Sequence, residues 1–101
     1  MSSLANESPS VYDRAMTSYY VYLVRCADDT YYTGVCTDTA RRVLEHNGTS
    51  KGARYTRGRQ PVRLAYEEPC PDRSSALKRE HVVRQLSRSE KERLEKRWRA
   101  A

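Results

Sequence analysis

The chain has 101 residues, 38% hydrophobic and 32% charged, with a formal net charge of +6. That length suits one small domain with one core, and apolar residues gathered in periodic runs exclude a disordered composition. No apolar run is long enough for a membrane span, and no secretory h-region is present.

The 19 Lys and Arg against 13 Asp and Glu, with Arg in large excess over Lys, favour nucleic acid or another polyanion as partner. The bland alternative is a small basic protein with no such role. Phe is absent and Tyr occurs 8 times, so some tyrosines must serve as core. Cys26, Cys36 and Cys70 are odd in number, form no C-x-x-C pair and lack zinc spacing. Reduced thiols in an intracellular, reducing setting are the expectation, with Cys26 and Cys36 buried.

Residues 1–17 are polar and Ser-rich and are expected to form a flexible arm. Residues 18–27 are dense in Tyr, Val and Leu and predict a strand, with Asp28-Asp29-Thr30 as turn material. Tyr31–Cys36 predicts the returning strand of a hairpin. Gly34 inside it signals close backbone approach or a bulge. Thr37-Asp38 caps a helix predicted over Thr39–Asn47, with Ala40, Val43 and Leu44 as its apolar stripe and Asn47-Gly48 as its end.

Residues 49–61 read as a loop, and from Lys51 to Arg63 the chain holds basic residues and no acid. Val62–Glu67 alternates and predicts a third strand. Pro69 and Pro71 break the chain, and Asp72 caps a helix predicted over Arg73–Leu86. Ser87 and Glu90 fit a capping box that opens a last helix to Trp98, docked by Leu94 and Trp98. The predicted order is β-β-α-β-α-α, an α+β domain with a small three-stranded antiparallel sheet flanked by helices. It spans residues 18–98, and residues 99–101 form a tail.

Four groups of residues suggest chemistry. Tyr22 and Tyr32 lie on the hairpin, with Tyr22 expected roughly across from Val35 and Tyr32 a diagonal step away. Both also suit simple sheet packing. Arg42 and His46 lie four apart on one helix face, where an Arg can grip a phosphate oxygen and a His can move a proton. A solvated face is the alternative. Glu80 falls on or beside the stripe of Ala76, Leu77, Val83 and Leu86, where a carboxylate needs a partner. A divalent cation or a nearby Arg would serve. His81 reads as surface. Lys51, Arg54, Arg57 and Arg59 in the loop, with Arg73, Lys78 and Arg79 on the second helix, would track a phosphate backbone. Nothing here reads base edges clearly.

Together these residues resemble the GIY-YIG nuclease family. Tyr20-Val21-Tyr22 stands in the GIY place and Tyr32-Thr33-Gly34 in the YIG place. Arg42 and His46 match the family's helical Arg and trailing His, and Glu80 its metal-binding Glu. The resemblance covers roughly residues 18–98 and is nearest to the small stand-alone members. Their loop and second helix resemble residues 51–58 and 72–80. Tyr20 and Thr33 depart from the motif's Gly and Ile, and Val35 stands where some repair-nuclease relatives have Lys.

The resemblance implies a metal-dependent endonuclease that hydrolyses phosphodiester bonds in DNA or another nucleic acid, in repair or processing, with little sequence specificity. It implies Mg2+, with Mn2+ as a substitute, and Glu80 as the sole protein ligand. Arg42 would hold the scissile phosphate. Tyr22 would orient or deprotonate the attacking water, with Tyr32 or His46 sharing the task. A protein partner would supply target choice. The alternatives are a nucleic-acid-binding module of the same fold and a scaffold with a vestigial site.

Overall fold

The computed structural model describes residues 18–48 and 51–101. The expected arm, residues 1–17, lies outside them. Strand β1 (Tyr19–Arg25) and strand β2 (Tyr31–Cys36) form the predicted hairpin, and β3 (Arg63–Cys70) completes an antiparallel sheet in the order β2-β1-β3. β1 is central and covered on both faces, which is why Val21–Val24 is a continuous run at 0–2% exposure.

The register places Tyr22 opposite Gly34, not Val35, and Tyr32 opposite Val24. Tyr22, Tyr32 and Gly34 therefore share one face, a point that residue numbering alone left open. A bulge between Leu23 and Val24 shifts the pairing with β3, so Glu67 lies opposite Tyr22 and Glu68 opposite Val21. β3 runs three residues past the predicted Glu67 and contains Pro69. As an edge strand among the described residues it has no outer partner there for the missing Pro69 N–H to serve.

Helix α1 (Thr39–His46) is capped by Asp38, which accepts from the Arg41 N–H at 3.0 Å. It covers the Tyr22 face, where Tyr22, Val24, Cys26 and Val62 gather with Tyr32, Val43 and Leu64. Thr39 Oγ1 donates to Glu67 Oε1 at 2.6 Å and ties the start of α1 to β3. The region expected as a plain loop contains a one-turn helix, α2 (Arg54–Arg57). A single turn offers no periodicity, and its N-cap Ala53 has no side chain to announce a cap.

Helices α3 (Arg73–Gln85) and α4 (Arg88–Ala100) follow the signals that predicted them. Asp72 caps α3 by accepting from the Ser75 N–H at 2.7 Å, and Ser87 and Glu90 form both halves of the capping box. α4 reaches Ala100, so the predicted tail shrinks to the last residue. The second core layer joins Val21, Leu23 and Ala65 to Ala76 and Val83 of α3, with Leu94 of α4 packed against it. The sheet is thus sandwiched between α1 and α2 on one face and α3 and α4 on the other.

A buried carboxylate fastens α4. Glu95 is 4% exposed and accepts from Arg25 Nη1 at 3.0 Å, Tyr31 Oη at 2.7 Å, Arg63 Nη1 at 2.5 Å and Arg99 Nη1 at 3.3 Å. Burial alone would raise its pKa, but these bonds outweigh that and hold it at about 2. Among the described residues no helix is long and apolar enough to cross a membrane. The three cysteines are free thiols, with Cys26 buried as expected and Cys36 only partly so.

Candidate active site

The predicted residues Tyr22, Tyr32, Arg42 and His46 converge on the α1 face. Tyr22 Oη and His46 Nε2 are 2.8 Å apart in a buried hydrogen bond. The His46 ring also lies edge-on to Tyr32, with centroids 5.3 Å apart, and the two tyrosine rings are 6.5 Å apart. β1 and β2 supply the tyrosines, and the last turn of α1 swings His46 over them.

Gly34 is the reason Tyr22 fits. A β-carbon at position 34 would lie 2.5 Å from the Tyr22 hydroxyl oxygen and 2.6 Å from its Cζ. The glycine therefore marks a close approach of a ring to the opposite backbone, and the hairpin pairing carries no bulge there.

Arg42 lies near the Tyr22 hydroxyl, where its positive charge favours the phenolate. It is the cation for which position 35 has no residue, since Val35 packs against the opposite core. Burial still wins, and the Tyr22 pKa is pushed up to about 12. Burial, reinforced by the Arg42 charge, pushes His46 down to about 4, so the imidazole is neutral at physiological pH. Arg42 Nη1 itself donates to Glu45 Oε1 at 2.8 Å and to the Lys51 carbonyl at 2.7 Å. That fixes one edge of the guanidinium and preorganises the rest.

Two further members of the cluster are not singled out in the sequence. Thr56 of α2 is fully buried, and its Oγ1 lies 2.8 Å from His46 Nδ1. Tyr55 stacks on Tyr32 with centroids 5.9 Å apart, and Arg59 covers Tyr55 at 3.9 Å. An aromatic file thus runs from buried Tyr22 through His46 and Tyr32 to half-exposed Tyr55. Only the loop's resemblance to relatives hinted at these two, because neither stands in a periodic pattern.

Glu80 is where the stripe predicted it, with a side chain 12% exposed, and its Oε2 is paired with Arg84. The structure thus supplies the Arg partner that the sequence offered beside a cation. Among the described residues no hydrogen bond joins Glu80 to the Tyr22 cluster, and no group of three or more His, Cys, Asp or Glu side chains converges on a metal position. A cation held by Glu80 would draw its other ligands from water and substrate, a donor set that Mg2+ accepts. His81 is exposed on the turn of α3 that faces away from the core.

The basic residues divide. Lys51, Arg54 and Arg57 are exposed on the α1 side and in no ion pair among the described residues. Arg59 is occupied by Asp28 at 3.0 Å as well as by Tyr55. On α3, Arg73 and Lys78 are exposed, whereas the Arg79 Nε–H is shared between the two carboxylate oxygens of Glu68 at 2.9 and 3.0 Å. Loop and helix therefore do not form one continuous strip, because α3 covers the opposite face.

Residues 18–99 match the GIY-YIG catalytic domain model. Among similar proteins, the UPF0213 protein DP2720 of Desulfotalea psychrophila is 56% identical over 78% of this chain and 72% of its own. The UPF0213 protein YhbQ of Escherichia coli is 47% identical over 78% of each. The solution NMR structure of the protein EF2693 from E. faecalis is 36% identical, with a TM-score of 0.54 over 83% of this chain and 88% of that one.

Proposed function

The chain belongs to the GIY-YIG family, and on that premise we propose that it is a metal-dependent endonuclease cutting phosphodiester bonds in nucleic acid, DNA foremost, with little sequence preference of its own. The observation that carries this reading is the buried 2.8 Å hydrogen bond between Tyr22 and His46 with Arg42 beside it. A tyrosine that only packed the sheet would need neither neighbour.

Arg42 grips a nonbridging oxygen of the scissile phosphate with the guanidinium N–H groups left free by Glu45 and Lys51, and stabilises the charge that builds there. The water to be activated is drawn to the Tyr22 hydroxyl. A phenol with a pKa of about 12 is not a free base at neutral pH. Tyr22 instead takes the proton of the water as it passes its own to His46 Nε2, so no phenolate accumulates. His46, neutral above about pH 4, is ready to receive it. Tyr32 holds the imidazole edge-on and limits its tilt.

Glu80 belongs to α3, which packs on the other face of the sheet from Tyr22, so a divalent cation, Mg2+ or Mn2+, with Glu80 as its one protein ligand would offset charge on the leaving oxygen of a substrate that reaches round the sheet edge. Glu80 would have to exchange Arg84 for the cation. Lys51, Arg54 and Arg57 follow the backbone on the site's own face, and Arg73 and Lys78 reach only flanking strands. A protein partner would supply target choice.

A second reading, binding without cutting, is favoured by one feature: half-exposed Tyr55 in stack with Tyr32 offers a platform for a base. Purified protein should be incubated with single-stranded, nicked, branched and duplex DNA and with RNA, in Mg2+, in Mn2+ and in EDTA. Metal-dependent cutting by wild type, lost in Glu80→Ala and Arg42→Ala, is the expected result. Salt-sensitive binding with no cutting under any metal would replace it with the second reading. Equal cutting by all three proteins would expose a contaminant.

A further inference from the structure

The hydrogen-bond donors around His46 can be assigned one by one. The Thr56 hydroxyl has a single hydrogen and two neighbours, the Ala53 carbonyl at 3.0 Å and His46 Nδ1 at 2.8 Å. Both contacts are hydrogen bonds only if the hydroxyl hydrogen goes to the carbonyl, which can only accept and also takes the Thr56 and Arg57 N–H groups at 3.2 and 3.1 Å, closing a turn back along α2. The oxygen of Thr56 is then left to accept, and His46 Nδ1 must be the donor. With its proton on Nδ1, the ring presents the Nε2 lone pair to the Tyr22 hydroxyl at 2.8 Å. From this geometry we infer that Thr56 is a positioning residue that locks His46 in its Nδ1–H tautomer.

The opposite assignment fares worse. Turning the Thr56 hydroxyl toward Nδ1 would remove its bond to Ala53. It would also crowd the one Nδ1 lone pair with a second donor, the Ala53 N–H at 3.4 Å. The Nδ1–H form gives every short contact one donor and one acceptor. Its cost is the 3.4 Å hydrogen bond from the Ala53 N–H, which loses Nδ1 as its acceptor.

The consequence for chemistry rests on the relay of Tyr22 and His46 described above. In the Nδ1–H form, the Tyr22 proton moves to Nε2, and the resulting imidazolium keeps its other N–H on Thr56. In the Nε2–H form the ring would donate to Tyr22, and no acceptor would face the phenol. In triad enzymes a wrong histidine tautomer lowers the rate by several powers of ten with little change in geometry. Burial and the Arg42 charge keep His46 neutral, so tautomer rather than charge is the variable that Thr56 controls.

The test has a readout independent of activity. Protein labelled with 15N at histidine is studied by long-range proton–nitrogen correlation at neutral pH, with exposed His81 as internal reference and His81→Gln to identify its signals. Wild type should carry the His46 proton on Nδ1. Thr56→Ser should keep it there, and Thr56→Val should move it to Nε2. In cleavage assays Thr56→Val should lose about 10- to 100-fold in kcat with KM little changed, while Thr56→Ser stays near wild type. A wild-type proton on Nε2 would overturn the inference, as would Thr56→Val with an unchanged tautomer. Should Thr56→Val fail to fold, the wild-type and Thr56→Ser spectra still decide. If no protein cuts while the Nδ1–H tautomer is seen, the tautomer lock stands and the nuclease reading falls.

Discussion

Among the described residues His46 has no counter-charge within hydrogen-bond reach, and its burial has a cost in acid. Unfolded, it titrates near 6.5; folded, near 4. Between those values the unfolded chain binds the proton and the folded chain does not. Stability is therefore complete above pH 6.5 and falls as the pH drops toward 4, by about 3 kcal/mol in all. Glu95 adds a second, lower window: its carboxyl is held at about 2 against 4.5 unfolded, so its contribution is present above 4.5 and lost as the pH falls through 2. Urea midpoints across this range should show both slopes, and His46→Gln should lack the upper one. Gly34→Ala tests the close approach. It should displace the Tyr22 ring and cost about 1–3 kcal/mol in urea unfolding, with the Tyr22–His46 hydrogen bond broken. Tyr22, Tyr32, Arg42 and His46 are legible as a group because their types and spacing carry chemistry together. Thr56 is not, since a buried threonine in a turn looks like any loop threonine. Glu95 is hidden for a different reason: its partners Arg25 and Arg63 lie on strands far away in sequence.

Caps make the helices readable. Asp38, Asp72 and the Ser87–Glu90 box each start the helix that the sequence assigns to them, because capping is local chemistry. The hairpin register is a different matter. Arg25 pairs with Tyr31, so five residues turn the chain, and Asp29 takes the left-handed conformation at φ 68. Asp-Asp-Thr does not specify a loop length as Asn-Gly would, and the expected partner of Tyr22 is off by one position. α4 is tied to the sheet by one side chain as well as by its apolar stripe. Glu95→Gln should leave Arg25, Arg63 and Arg99 without their shared carboxylate and cost about 3–5 kcal/mol. Amide exchange should quicken in α4 before the β1–β2 hairpin, and a uniform quickening of all elements would refute this division.

Charge is distributed by face across the molecule. The exposed cations of the loop share the α1 face with the Tyr22 cluster, whereas those of α3 belong to the other side of the sheet. Substituting Lys51, Arg54 and Arg57 together with Gln should weaken nucleic-acid binding and lower the slope of log affinity against log salt by about 1 for each phosphate no longer neutralised. The pair Arg73→Gln and Lys78→Gln should change that slope less. Equal effects in titrations at several salt concentrations would mean that the bound strand wraps both faces. The sequence alone presents these residues as one set, because their separation onto two faces depends on the sheet that lies between them.

The pairing of Tyr22 with Gly34 also acts as a ratchet on sequence drift. While the ring is in place, position 34 admits no side chain, since any β-carbon would fall inside the phenol. Should a descendant chain lose the ring at position 22, the space opposite opens and any small residue can enter. From then on tyrosine cannot return alone, because its place is taken. Loss of the Tyr22–His46 pair would therefore be quick to happen and slow to reverse, with the residue at position 34 recording which way a lineage has gone.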